Sequence, residues 1–208
     1  MAGPGVSGVT RGYIRFNAEG NNIRGSRYYS RMVHYPAGGV SGVTIGRGYD
    51  MGSRSQQEIY KDLTRVGINN VQAQTISLAA NLRGAQAAEF VRKNKEAIGE
   101  ITERQQINLF NYIYPTYERR AQLLYNARTA HVRHRTTWTA LHPAIRDVLV
   151  DIVYQGFRGE TAMTAAATNN IDSFINYIRR TPSLVAHEPA RNRIGYLKSH
   201  RESGQKKP

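Results

Sequence analysis

The chain has 208 residues and a mass of 23.4 kDa, with 29 Lys+Arg against 15 Asp+Glu, a net charge of +14 and a pI near 10.3. With 40% hydrophobic residues, 13 Tyr among them, a packed core is within reach, which excludes a disordered basic tail. The absence of Cys excludes a disulfide scaffold, a thiol nucleophile and thiolate-ligated metal sites.

Residues 1–57 are dense in Gly, Tyr and Arg, and suit short strands and tight turns. Within them, Gly39–Gly46 reads as a hairpin-like segment, its first six residues echoed at Gly5–Thr10, and Gly12–Asn17 fits a short strand or a first helix. The period then turns helical. Ser53 and Ser55 are candidate N-caps, Glu58 is a capping-box partner, Ile59, Leu63 and Val66 follow at helical spacing, and Gly67 is a C-cap. Further helices are expected at about 71–81, 85–97, 102–128, 142–155, 169–180 and 188–198. Thr102-Glu103-Arg104-Gln105 looks like a helix start, and Pro115 should kink or break the helix that follows. Ala144, Ile145, Val148, Leu149, Ile152 and Val153 predict a central, mostly buried helix. Ser199–Pro208 reads as a frayed basic tail. The expected fold is α+β and mainly α, one domain over 1–198 with a Gly-rich lobe (1–57) and a helical lobe (58–198).

No apolar run approaches the ~18 residues of a membrane span, and the N-terminus lacks a basic region ahead of an apolar core. The expectation is a protein made in the cytoplasm without a signal peptide, reaching any outer target by release or delivery. Of the cations 23 are Arg and 6 are Lys. Arg surfaces suit any polyanion, whether nucleic acid, lipid headgroups or envelope polymers.

The acids of residues 1–57 are only two, Glu19 and Asp50, among seven Arg. Each lies beside turn-forming residues, in Ala18-Glu19-Gly20 and Gly48-Tyr49-Asp50-Met51-Gly52. Two isolated carboxylates are the ingredients of glycoside hydrolysis, one donating a proton to the leaving oxygen and one activating water or attacking. Read alone, they serve equally as Arg partners or turn-forming side chains.

The run Ser41-Gly42-Val43-Thr44-Ile45-Gly46-Arg47-Gly48-Tyr49-Asp50-Met51-Gly52 resembles the signature of the pesticin-like muramidases, relatives of phage-type lysozymes. In that family a Glu-Gly pair precedes the Thr by a few tens of residues and an Asp follows it by six. Glu19-Gly20, Thr44 and Asp50 fill those places. Arg27-Tyr28-Tyr29-Ser30 and Tyr35-Pro36 resemble the intervening segment. Ile101–Phe110, His142–Asp151 with the Gly156 region, and Arg191–Leu197 are more weakly similar to helices of the helical lobe. Phage-type lysozymes carry their catalytic Asp between the Glu and the Thr. Residues 20–43 hold no acid, which leaves Asp50 in the pesticin-like arrangement.

The resemblance implies a lysozyme-like fold and a cleaved β-1,4 bond between N-acetylmuramic acid and N-acetylglucosamine in peptidoglycan. Glu19 is then the general acid, which asks for partial burial against Tyr or Phe. Asp50 is the second carboxylate, Thr44 orients the hydrolytic water, and Tyr35, Arg47 and Tyr49 are the expected sugar contacts. No cofactor or metal is implied. The implied partners are peptidoglycan and an anionic envelope surface, with an immunity protein where the setting is a toxin rather than a phage endolysin, and the chain is expected to be a monomer. The alternative is a basic module that binds nucleic acid or envelope without catalysis, although no helix-turn-helix, RNA-recognition or zinc motif is legible. Chitin is a further candidate polymer.

Three features stay open at this level. His131 and His134 on an apparent helix have metal-ligand spacing, but Arg133 and Arg135 beside them make a poor cation site. Asp151 suits an Arg partner better than a catalyst, and Trp138 fits the core or a sugar platform. The stretch 119–146 holds six Arg, three His and no acid; it fits contacts to anions or a solvated helix face.

Overall fold

The protein is described here by a computed structural model covering residues 8–26, 29–36, 39–155 and 160–201. The echo at Gly5–Thr10, Arg27-Tyr28, the Gly156 region and the tail from residue 202 therefore lie wholly or partly outside the described residues. The fold is α+β and mainly α, with one two-stranded antiparallel sheet. Two compact units emerge among the described residues, one of 19–113 with 8–10, the other of 11–18 with 114–201. They do not coincide with the expected lobes 1–57 and 58–198, because the first helices after residue 57 share a core with the Gly-rich segment.

The unit of residues 19–113 contains the hairpin β1 (Thr44–Ile45) and β2 (Tyr49–Asp50), then α2 (Gln56–Arg65), α3 (Asn70–Ser77) and α4 (Gly84–Ile98). Ser55 caps α2 by accepting from the Glu58 N–H at 3.1 Å, while the Glu58 carboxylate turns outward to Arg54 at 2.8 Å. The helix α5 (Glu103–Arg128) starts at a reciprocal capping box. The Thr102 N–H donates to Gln105 Oε1 at 2.9 Å, and the Gln105 N–H donates back to Thr102 Oγ1 at 3.0 Å. Ile45, Met51, Ile59, Leu63, Ile76 and Phe110 are among the core residues.

Three expectations about these elements need correction. The hairpin turns at Gly46-Arg47-Gly48, not within Gly39–Gly46. The helix α3 ends at Ser77 rather than at 81, since the chain continues in single turns to Asn81 at φ +60°. Pro115 does not end α5: Ile113, Tyr114 and Tyr117 are all buried, and their packing offsets the hydrogen bond that Pro removes.

The other unit contains α1 (Tyr13–Ala18), the later part of α5, α6 (Pro143–Tyr154), α7 (Glu160–Ala166), α8 (Ile171–Arg179), α9 (Pro182–Val185), α10 (Glu188–Arg191) and α11 (Arg193–Arg201). The segment Gly12–Asn17 is thus helical from Tyr13 onward. The buried stripe of α6 includes Ile145, Val148, Leu149 and Ile152, each worth roughly 1.5–3 kcal/mol relative to exposure. Arg15 in α1 is buried with its guanidinium 4.0 Å from the Tyr154 ring and 4.7 Å from that of Tyr117, a cation–π contact with each of two mutually packed rings. The expected helix 188–198 is two helices, because Asn192 takes a left-handed φ of +52°, and its second part runs to Arg201. Among the described residues no helix is long and apolar enough to cross a membrane.

Candidate active site

Thr44 and Asp50 face one another across the hairpin, as do Ile45 and Tyr49. The other edge of Thr44 is occupied by His34. Their backbones exchange two hydrogen bonds, His34 N–H to the Thr44 carbonyl at 2.8 Å and Thr44 N–H to the His34 carbonyl at 2.9 Å. The hairpin is further pinned where Gly46 N–H donates to the Ser30 carbonyl at 2.7 Å, and Ser30 Oγ donates to Gln106 on α5 at 2.7 Å. Glu19 follows α1 directly and is half-buried. Gly20 lets the chain leave at φ +150°, a backbone that a side chain would strain.

The charged groups around this hairpin sense one another. The Glu19 carboxylate acts electrostatically on both the His34 imidazole and the Arg47 guanidinium, favouring their charged forms. Burial outweighs it in each case. His34 is held below its ordinary value, its Nδ1 3.0 Å from the Met32 carbonyl, with Lys95 adding to the depression. Burial pushes Arg47 down to about 10 against the pull of Glu103 and Glu19, which leaves it a cation at neutral pH. The ladder thus joins His34, Thr44 and Asp50, while Glu19 bears on His34 and Arg47 through its charge.

The individual placements are less uniform than the sequence implies. Asp50 is exposed, yet both its oxygens accept backbone N–H groups, Oδ1 from Gly52 at 2.7 Å and Oδ2 from Gly42 at 3.2 Å. Glycine is required at position 42, where a Cβ would collide with Asp50 Oδ1 and come within 2.5 Å of the Gly52 Cα. Thr44 is only 3% exposed, and its hydroxyl lies 3.4 Å from the Gly42 carbonyl. Arg47 is buried in the turn and Tyr35 is half-buried beside His34.

Tyr49 does not fit the role of a sugar contact. Its side chain has no accessible surface, its hydroxyl donates to Asp62 Oδ2 at 2.6 Å, and the Arg54 guanidinium lies 4.4 Å from its ring. Burial and the Asp62 carboxylate push the phenol well above its ordinary value. Asp62 had a legible signal: it falls on the Ile59/Leu63/Val66 stripe of α2, where an acid needs a buried partner. His34 had none, since its bridge to Thr44 depends on long-range pairing. Asp62 also lines a surface hollow of about 660 Å³ with Glu58, Lys61, Arg65 and Tyr112.

Elsewhere, Asp151 is fully buried and accepts from Arg191 at 2.8 Å and Arg193 at 2.7 Å, a structural partner of two Arg. Asp147 receives the hydroxyls of Tyr196 at 2.5 Å and Tyr114 at 3.0 Å. Trp138 is 6% exposed and packs on Tyr125, with ring centroids 5.6 Å apart, so it fills core. His131 and His134 lie in the turn after α5, not on a helix, with His134 at φ +56°. Among the described residues no three His, Asp or Glu side chains converge as a metal site.

A search of curated proteins finds no match to this sequence. A family model described as a domain of unknown function, DUF8812, matches residues 12–186, a span that contains Glu19, Thr44 and Asp50. Because that match covers most of the chain, the protein belongs to the DUF8812 family.

Proposed function

We propose that the chain is a peptidoglycan hydrolase, a lysozyme-like muramidase that cuts the β-1,4 bond between N-acetylmuramic acid and N-acetylglucosamine after release or delivery to the cell wall. Glu19 protonates the leaving oxygen, Asp50 is the second carboxylate, and Thr44 positions the water. The observation that carries this reading is the hairpin register, which sets Thr44 opposite Asp50 while the Glu19 carboxylate acts on Arg47 in the turn between them. With Thr44 assigned to position a water, the expected outcome is inversion at the anomeric carbon. Half-burial of Glu19 supports its assignment as the acid. The anionic envelope is the natural partner of the basic surface. Tyr35, half-buried, remains the proposed sugar contact at the hairpin, and Tyr49 and Arg47, both buried, are withdrawn to structural roles.

One observation favours the non-catalytic alternative, a basic binding module. Asp50 spends both oxygens on backbone amides, as a turn-forming side chain does. The Glu19→Gln variant separates the two. The hydrolase reading predicts that it folds as wild type but no longer clears a suspension of purified cell walls; clearing at the wild-type rate refutes it. Parallel incubation with soluble chitin tests the polymer.

A further inference from the structure

The hollow of about 660 Å³ beside α2 carries both signs of charge. Glu58, Lys61, Asp62 and Arg65 line it from α2, and the exposed Tyr112 of α5 lines it as well, all within the unit of residues 19–113. Helical spacing lays Glu58 with Asp62, and Lys61 with Arg65, as two adjacent stripes. Lys61 also lies three residues from Glu58, and Arg65 three from Asp62, spacings at which helical ion pairs close. Here they stay open, and neither cation is ion-paired among the described residues. Arg65 lies instead over the Tyr112 ring, 4.9 Å from its centre, which occupies one face of the guanidinium and leaves its N–H edge to a ligand.

The acids are only partly used. Arg54 donates to Glu58 Oε1 at 2.8 Å and lies 3.9 Å from Asp62 Oδ2, the oxygen that also accepts from the Tyr49 hydroxyl at 2.6 Å. Glu58 Oε2 and Asp62 Oδ1 have no hydrogen-bond partner among the described residues. Two carboxylates against one Arg54 leave this stripe net negative, while Lys61 and Arg65 make the other positive. A lone anion is repelled by the first stripe and a lone cation by the second. A group with an ammonium beside a carboxylate suits both, the ammonium donating to the acids and the carboxylate accepting from Lys61 and Arg65.

We propose that this hollow binds the zwitterionic end of an amino acid, an ammonium and a carboxylate on one carbon. The source of that end rests on the hydrolase reading. Peptidoglycan stems carry it where their diamino acid is diaminopimelate, whose side chain ends in both groups, and lack it where that residue is lysine, whose side chain ends in ammonium alone. The site would select the wall by its stem, apart from the hairpin residues that act on the glycan.

The test is titration of soluble stem tripeptides into the full wild-type chain at fixed ionic strength, followed by backbone amide resonances in NMR spectra. The diaminopimelate tripeptide should bind with a Kd of roughly 1 mM and shift the amides of α2 and Tyr112. The lysine tripeptide, and the diaminopimelate tripeptide acetylated on its side-chain amine, should each bind roughly fivefold or more weakly. Lys61→Gln/Arg65→Gln should bring the diaminopimelate tripeptide down to the affinity of the lysine one. Arg92→Gln/Lys93→Gln makes the same charge change on α4 and should alter binding by less than about twofold. Equal affinity of the two tripeptides for the wild-type chain, no loss on acetylation, or wild-type binding by Lys61→Gln/Arg65→Gln would overturn the site. So would failure of the diaminopimelate tripeptide to bind at about 10 mM. The tripeptides contain no glycosidic bond, so their binding is read independently of hydrolysis. Selective binding by a chain that releases nothing from cell walls would uphold the site and overturn the stem as its source.

Discussion

Asp151 is the most exacting place to test the packing of the helical unit. Its carboxylate has no accessible surface and holds Arg193, also fully buried, together with Arg191, whose side chain is 17% exposed. Arg193 donates as well to Gln155 Oε1. Replacing Asp151 by Ala removes the only carboxylate that these contacts give to Arg193 and leaves a buried cation. Breaking such a pair costs about 3–5 kcal/mol, and the Arg193 half dominates because Arg191 can turn to solvent. At 2–4 °C per kcal/mol for a chain of this size, the midpoint of thermal unfolding should fall by roughly 6–20 °C. Arg191→Ala should cost about 1 kcal/mol or less. Asp151→Leu combined with Arg193→Met should recover most of the loss, since it removes both charges together. Urea or thermal unfolding followed by circular dichroism measures all three. A loss below about 1 kcal/mol for Asp151→Ala would refute the account of this cluster.

Three predictions concern the hairpin unit. Tyr49→Phe removes the donor to the Asp62 carboxylate and should cost about 1.5–3 kcal/mol in urea unfolding; because the ring is buried, it should leave affinity for wall fragments unchanged. Gly42→Ala puts a methyl against Asp50 and the Gly52 backbone. It should cost more than about 2 kcal/mol and broaden the hairpin amide resonances in NMR spectra. His34 is depressed below its ordinary 6.5, so the unfolded chain binds more protons than the native one between the depressed value and pH 6.5. Stability should therefore rise with pH through that window and fall on acidification below about 6.5, and His34→Gln should flatten the slope of unfolding free energy against pH.

What was legible in the sequence was local. The Thr102 and Gln105 box, the Ser55 cap and the apolar stripe of α6 each involve residues within a turn or two, so their patterns survive in one dimension. The pairing of Asp151 with Arg was also foreseeable, because an acid on an apolar stripe needs a cation, although which Arg served it was not. The rest failed for tertiary reasons. Pro115 lies inside α5 because Ile113, Tyr114 and Tyr117 pack around it, a context that propensity does not contain. The hairpin was placed a few residues early because Gly39–Gly46 has strand-like composition. Its actual turn is set by the pairing of Thr44 with Asp50 and by the Gly46 bond to Ser30. The candidate site divides in the same way. Glu19, Thr44 and Asp50 were readable as a spaced motif, whereas His34 joins them only through a ladder between distant residues. Tyr49 was misassigned because alternation along β2 gives its direction only once the far side of the hairpin is known to be core.

The central claim is a bond, and the bond is directly observable. Purified peptidoglycan incubated with the protein should release fragments that mass spectrometry, after reduction, identifies as muropeptides ending in reduced N-acetylmuramic acid. The Glu19→Gln variant should release none. Fragments from amide cleavage, fragments ending in reduced N-acetylglucosamine, or no release by the folded wild-type chain would contradict the account.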